Sequence, residues 1–358
     1  MPLKILAINP GSTSTKIAVY EDERACFTLN VDHPAEEVAR FSGISDQFEM
    51  RRDLVLATLH AEGFRLEELA AVVGRGGMVG PMKSGAYEVN EAMVKRLRTN
   101  PVQDHASNLG GLIAFEIARR IGVKAYIYDS VMVDELPPVA KVTGLPELPR
   151  ISTSHVLNSR AMAIRCAKLL GRDHRELCLL VAHLGGGISC GLYDRGRLID
   201  VLTPVEGPFS PERSGRVPAQ ELVDLCFSGR YDRKAMQQRL AGKGGIKAYL
   251  GTVDIREVIR MAEGGHAQAA LLLDAMCYQV AKGIGELATV VCGKVDRIIL
   301  TGGMAHAGEV TRRIQERITF IAPVEILPGE NEMESLVLGT LRVLRGEEQA
   351  WEYVDQEG

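Results

Sequence analysis

A chain of 358 residues, 46% hydrophobic and 25% charged, with mean hydropathy +0.01, is long enough for two domains that each bury a core. Its net charge of −4 and pI near 6.1 leave no basic footprint for nucleic acid. No run approaches the roughly 18 apolar residues of a membrane span, and the apolar run after Lys4 is too short for a secretory leader. The expectation is a cytoplasmic protein without nucleic-acid or membrane partners.

In chain order, 3–9, 15–21 and 24–31 read as three strands joined by short turns. A helix follows around 49–61, strands at 70–74 and near 85–90, a helix at 107–121 capped by Ser107, and a buried strand at 124–128 ending in Asp129. Pro137, Pro138, Pro146 and Pro149 mark a crossing segment, which places a domain boundary near 150. Beyond it come a helix at 157–170, strands at 177–183, 188–194 and 197–202, and helices at 218–228, 254–263 and 266–291. A strand at 296–301, a helix near 307–318, a strand at 323–327 and a last helix at 333–346 complete the pattern. The acidic tail 347–358 reads as a frayed end or a docking strand. The plan is α/β with mixed sheets. Cys26, Cys166, Cys178, Cys190, Cys226, Cys277 and Cys292 contain no C-x-x-C pair and read as buried thiols of a reducing compartment.

One local pattern occurs twice. KILAINPGSTSTKIAVY at 4–20 and CLLVAHLGGGISCGLY at 178–193 are each an apolar run, a polar residue, a small-residue turn and a second apolar run. A spacing of roughly 175 residues indicates a duplicated domain, not a short-repeat solenoid. Facing turns of this kind suit a ligand rich in acceptor oxygens, with a nucleoside triphosphate as first candidate.

The first turn, Asn9 to Lys16, offers Ser12 and Ser14 hydroxyls, backbone N–H groups and the Lys16 charge to phosphate. It is not a Walker A loop, because a strand follows the lysine. The second, His183-Leu184-Gly185-Gly186-Gly187, allows close backbone approach. Gly302-Gly303 between a strand and a helix offers N–H groups to an anion or a flat ring. Asp129 and Glu332, at strand and helix ends, suit Mg²⁺ held partly through water. Arg75 in VGRGG and Arg213 in ERSG present planar forks for carboxylate or phosphate. His105 and His155 stand beside polar residues near helix starts. Each feature also has a plain alternative: a polar hairpin, a tight turn, a helix cap, a salt bridge or a structural histidine. His33, His60, His174, His266 and His306 read as surface or loop residues.

Taken together, INPGSTSTK, GRGG, YDS, STSHVLNSRA, HLGGGIS, ERSG and GENE resemble the acetokinase family of carboxylate kinases within the actin/Hsp70/sugar-kinase superfamily, nearly end to end. The resemblance implies two duplicated ribonuclease-H-like (actin-like ATPase) domains with mixed sheets and a nucleotide cleft between them. They would span 1–150 and 151–344, with 345–358 packing back on the first. It implies ATP/ADP and Mg²⁺ as cofactors, a short-chain carboxylate as substrate, and a homodimer or higher homo-oligomer. GSTSTK in place of GSSSLK leans toward butyrate over acetate, with branched-chain acids as the alternative. A sugar kinase using Asp129 as base and a non-enzymatic nucleotide switch are more distant readings.

By the same resemblance, Asn9, Ser12, Ser14 and Lys16 lie near the transferring phosphoryl group, and Arg75 and Arg213 grip carboxylate and phosphoryl. His155 donates to the phosphoryl oxygens, and His183, Gly185 and Gly187 line the phosphates. Asp129 and Glu332 organise Mg²⁺, Gly302-Gly303 line the adenosine, and His105 lies on the substrate side. Gly74 stands where acetate kinases have a histidine, which would widen the acyl pocket. Gly186 stands where they have an asparagine and keeps only its backbone. The long helix near 266–291, with Ala269, Leu271, Leu272, Leu273 and Met276, is a candidate for the subunit interface or for the core of its own domain.

Overall fold

The computed structural model describes residues 2–355. Its strands are β1 (Lys4–Pro10), β2 (Ser14–Glu21), β3 (Arg24–Asp32), β4 (Leu69–Arg75), β5 (Ala86–Glu88), β6 (Lys124–Tyr128), β7 (Cys178–Leu184), β8 (Ile188–Asp194), β9 (Arg197–Leu202), β10 (Arg297–Gly302), β11 (Val324–Pro328) and β12 (Trp351–Glu352). The chain up to Asp134, together with the segment from Asn331 onward, forms one compact unit, and Glu135–Glu330 forms another.

The first unit carries the sheet β12-β5-β6-β4-β1-β2-β3. β1, β2 and β3 form an antiparallel meander, β4 joins β1 in parallel, and β6 joins β4 in parallel. The apolar run of β1 is buried almost throughout, as expected of a strand covered on both faces. The two covers can be told apart by side-chain alternation. Gly74 and its register partner Ile127 face helix Asn108–Ile121, since a Cβ at Gly74 would lie 2.1 Å from Gly110 O and one at Gly111 would touch Ile127. Arg75 and Tyr128, one residue on, point the other way, and the Tyr128 ring lies against Gly339 of helix Glu332–Leu344.

The second unit repeats the plan. Its order is β11-β10-β7-β8-β9, with an antiparallel β7-β8-β9 meander, β10 parallel to β7 and β11 parallel to β10. Even the bulge recurs, between Val19 and Tyr20 in β2 and between Leu192 and Tyr193 in β8. Helix Ala267–Val290 buries Ala269, Leu272, Leu273, Met276, Cys277, Val280 and Ile284 in this core.

Several expectations change. The observed division falls at Asp134/Glu135, so the proline-rich segment opens the second unit and contains a short helix, Pro138–Lys141. Helix Glu332–Leu344 belongs to the first unit, where it packs on β1, β4 and β6. The interface residues proposed on the long helix are core, except Leu271, which is exposed. Ser107 does not cap its helix through its side chain: its hydroxyl is taken by His105 Nδ1 at 2.9 Å. Of the tail, Trp351–Glu352 docks in parallel on β5, and 356–358 lie outside the described residues. Helices Glu91–Thr99, Arg233–Leu240 and Gly245–Leu250 lack an expectation from sequence.

Candidate active site

In the first unit, Asn9 near the end of β1 is the register partner of Lys16 on β2. Asn9 Nδ2 donates to Glu332 Oε2 at 2.5 Å, and Arg75 NH1 lies 2.7 Å from Glu332 Oε1 and 3.4 Å from Asn9 Oδ1. The carboxylate and the guanidinium thus fix opposite ends of one amide, so its orientation is determined by its partners. Arg75 owes its place to the glycines beside it. The close approach of helix Asn108–Ile121 to β4 leaves no room for a side chain at Gly74. Gly74 therefore serves helix packing.

Asp129 follows β6 with φ 43° and is 3% exposed. A non-glycine residue in this region costs on the order of 1 kcal/mol. It is held there by a reciprocal pair, since Gly85 N donates to Asp129 Oδ1 at 2.7 Å and Asp129 N donates to Gly85 O at 3.1 Å. His105 Nδ1 accepts from Ser107 N at 3.2 Å, which puts the proton of the neutral ring on Nε2. Its edge is exposed, but the atoms packed around it, and then the Arg75 charge, push its pKa down. Ser12 and Thr13 are exposed at the tip of the first turn, while Thr15 points inward to His33. His33 is not a surface residue. It is 6% exposed, its Nε2 lies 2.8 Å from Thr15 Oγ1, and burial followed by the Arg51 charge lowers its pKa.

In the second unit the rings of His155 and His183 stack, with centroids 4.2 Å apart and planes inclined by 16°. Each is anchored through Nδ1: His155 to Ser189 Oγ at 2.9 Å, His183 to Asn158 Oδ1 at 2.9 Å. Asn158 Nδ2 donates to Gly329 O and Thr301 Oγ1 donates to Asn158 Oδ1, so the amide oxygen faces His183. His183 therefore carries its proton on Nδ1 and turns Nε2 toward Glu330, 3.9 Å away.

The glycine turn and the Arg213 loop are tied together. Ser210 Oγ donates to Gly186 O at 2.6 Å, and Glu212 N donates to the same oxygen at 3.2 Å. A Cβ at Gly187 would lie 2.8 Å from Arg213 Cζ, so this glycine makes room for the guanidinium. Among the described residues that guanidinium has neither a hydrogen bond nor an ion pair. Burial lowers its pKa, against the opposing effect of Glu212, yet a guanidinium stays charged at neutral pH. Gly302, with φ 88°, exchanges two backbone hydrogen bonds with Gly329, so its N–H is not available to an anion. Gly303 opens a short 3₁₀ turn and faces open space apart from Glu330.

The structure thus assembles Asn9, Arg75 and Glu332 in one unit and His155, His183, Gly185, Gly187 and Arg213 in the other. Sequence reasoning missed Asn158, Ser189, Arg51 and Gln47. Asn158 carried a signal, lying three residues after His155 on the same helical face. Arg51 carried one too, four residues before Val55 on the buried stripe of its helix. Among the described residues no group of three or more His, Cys, Asp or Glu side chains converges as a metal site, and no helix is long and apolar enough to cross a membrane.

Residues 151–335 match the model of the acetokinase family. The chain is 48% identical over 355 residues to butyrate kinase 2 of Clostridium acetobutylicum, covering 99% of this chain and all of that one. It is 48% identical over 348 residues to a probable butyrate kinase of Bacteroides thetaiotaomicron, covering 96% and 98%. Among solved structures it resembles acetate kinase of Porphyromonas gingivalis, with TM-score 0.78 at 18% identity over 96% of this chain and all of that one. That likeness establishes the fold, the α/β actin-like one expected from sequence.

Proposed function

The chain belongs to the acetokinase family of carboxylate kinases, and from that premise we propose that it reversibly transfers the γ-phosphoryl group of ATP to butyrate, giving butyryl phosphate and ADP. Near-full-length similarity to proteins named butyrate kinase supports the acid. The observation that carries the chemistry is Arg213, a partly buried guanidinium without a partner of its own among the described residues, pressed against the glycine turn.

A carboxylate is already a nucleophile at neutral pH, so no general base is required. A carboxylate oxygen bonds to the γ-phosphorus as the bond to the bridging oxygen of ADP breaks, and no proton moves. The obstacle is repulsion between two anions, so the work is positioning and charge stabilisation. Arg213 and Arg75 serve the carboxylate and the migrating phosphoryl group. Glu332 and Asn9 hold the Arg75 fork in place. Ser12, Ser14 and Lys16 serve the phosphoryl group, His155 donates to its oxygens, and His183, Gly185 and Gly187 flank the phosphates. Gly303 lines the nucleotide, with Gly302 shaping the strand end, and His105 serves the acid.

Asp129 and Glu332 fit Mg²⁺ as hard carboxylate oxygens, of which one or two suffice beside phosphate and water. Glu332 would serve through water, because one of its oxygens already accepts a hydrogen bond from Asn9 and the other is paired with Arg75. When bound, Mg²⁺ offsets phosphate charge.

Acyl phosphate trapped as hydroxamate tests the reading, with ATP, Mg²⁺ and acetate, propionate, butyrate, isobutyrate or valerate. One buried methylene is worth about 0.8 kcal/mol, about fourfold in kcat/KM, so butyrate is expected to lead its neighbours by small factors. A lead for isobutyrate would move the substrate to branched acids. Absence of hydroxamate from every acid would refute the proposal.

A further inference from the structure

Helix Phe48–Ala61 buries Arg51 completely, at 0% exposure. Its NH1 donates to Gly11 O at 2.8 Å, Ser14 O at 2.9 Å and Thr15 Oγ1 at 3.1 Å. Its NH2 donates to Ser12 O at 3.2 Å and Gln47 Oε1 at 2.8 Å, and its Nε donates to Gln47 Oε1 at 3.1 Å. Every partner is a neutral oxygen. A buried cation lacking a carboxylate is expensive to keep, which argues for a task at this place.

The remaining carbonyl of the turn, Thr13 O, accepts from His33 N at 2.7 Å. All four carbonyl oxygens from Gly11 to Ser14 are thus bound inward, three of them by one side chain. Among the described residues the Ser12 and Thr13 amide N–H groups have no intramolecular partner, and both side chains are exposed. The tip of the turn therefore shows no outward carbonyl and offers two N–H groups and two hydroxyls. Arg51 also places its own charge beneath them.

We propose that Arg51 is the positioning residue of the β1–β2 turn, holding its carbonyls inward so that the turn presents N–H and hydroxyl donors, and no carbonyl, to the phosphoryl group of a nucleotide. Gln47 orients Arg51 from behind. The proposal rests on the kinase reading above.

The test uses the full chain with Arg51→Lys, Arg51→Ala and Gln47→Leu. Fold is checked by circular dichroism and thermal midpoint, kcat and both KM values by the hydroxamate assay, and nucleotide affinity by titration with the non-hydrolysable analogue AMP-PNP. A lysine keeps the charge but cannot reach three carbonyls from one fork. Folded Arg51→Lys is expected to lose about 10²-fold in kcat, with KM for butyrate within about twofold of the parent and weaker AMP-PNP binding. Added methylguanidinium is expected to restore Arg51→Ala saturably, a response that a purely structural residue would not give in the folded protein. If the Arg51 variants do not fold, Gln47→Leu decides. A loss of about tenfold in kcat supports the proposal, and parental kcat and AMP-PNP affinity overturn it. Folded Arg51→Lys with parental kcat and AMP-PNP affinity overturns it as well. If the parent makes no acyl phosphate from any acid, the kinase reading fails by itself. AMP-PNP affinity still tests Arg51 then, and an unchanged value in folded Arg51→Lys overturns its role.

Discussion

Arg75 and Glu332 form an ion pair 2.7 Å long, with the arginine at the end of β4 and the glutamate opening helix Glu332–Leu344. Because Asn9 bridges the same two groups, the arginine is aimed before any substrate arrives. Glu332→Gln keeps the hydrogen-bonding shape and removes the charge. It is expected to lower kcat about tenfold, while Glu332→Ala costs more. A double-mutant cycle with Arg75→Gln should give a stability coupling of about 1 kcal/mol, since each side chain of the pair is about a quarter exposed. Additive kcat losses in that cycle would show that the pair does not act as one device.

Asn158 sets the tautomer of His183. Asn158→Leu removes the acceptor and frees the ring to carry its proton on either nitrogen. The expected result is a fall of about 10- to 100-fold in kcat, together with a lower thermal midpoint because Gly329 O and Thr301 Oγ1 lose a buried partner, while Asn158→Asp, which keeps an acceptor, loses less kcat. Equal losses in the two variants would point to packing.

His33 predicts a limb of acid instability. Its folded pKa lies below the ordinary 6.5 through burial and the Arg51 charge. The unfolded chain therefore takes up the proton first as pH falls. The stability contributed by the neutral ring is complete above about pH 6.5 and is lost as pH falls through the lowered folded value. His105 shifts in the same direction. Urea unfolding followed from pH 8 to 5 should show this decline, and His33→Gln should flatten it.

Thiol accessibility separates the cysteines. Cys178, Cys190 and Cys277 are buried, with pKa pushed up to about 12 by desolvation, and Cys166 likewise to about 11. Cys226 and Cys292 are exposed. A thiol reagent at neutral pH should label the exposed pair rapidly in the native protein, and the four buried thiols only after denaturation.

Much of this was legible in the sequence, for identifiable reasons. The strands around Asn9 and His183 are apolar runs punctuated by small residues, and both turns fall where the composition changes. Arg75 and Arg213 stood out as arginines beside glycines, and His105 and His155 as histidines beside polar residues near helix starts. Other features depend on contacts distant in sequence. Helix Glu332–Leu344 joins the first unit because Gly339 fits under Tyr128. Gly74 is set by Gly110, where comparison of residue types pointed to the acyl pocket. Helix Arg233–Leu240 is short and mostly polar, and only Met236 of it is buried, so it lacks the periodicity that would announce it. His33 looks like a loop residue until the β1–β2 turn packs against it.

The most direct measurement is made on Arg213→Ala: acyl phosphate formation from ATP and butyrate beside AMP-PNP affinity in the same preparation. The account predicts turnover lower by about 10²–10³, a few kcal/mol of transition-state stabilisation, with nucleotide affinity near that of the parent. Parental turnover in the folded variant would contradict it, because the Arg213 guanidinium would then have no part in the reaction.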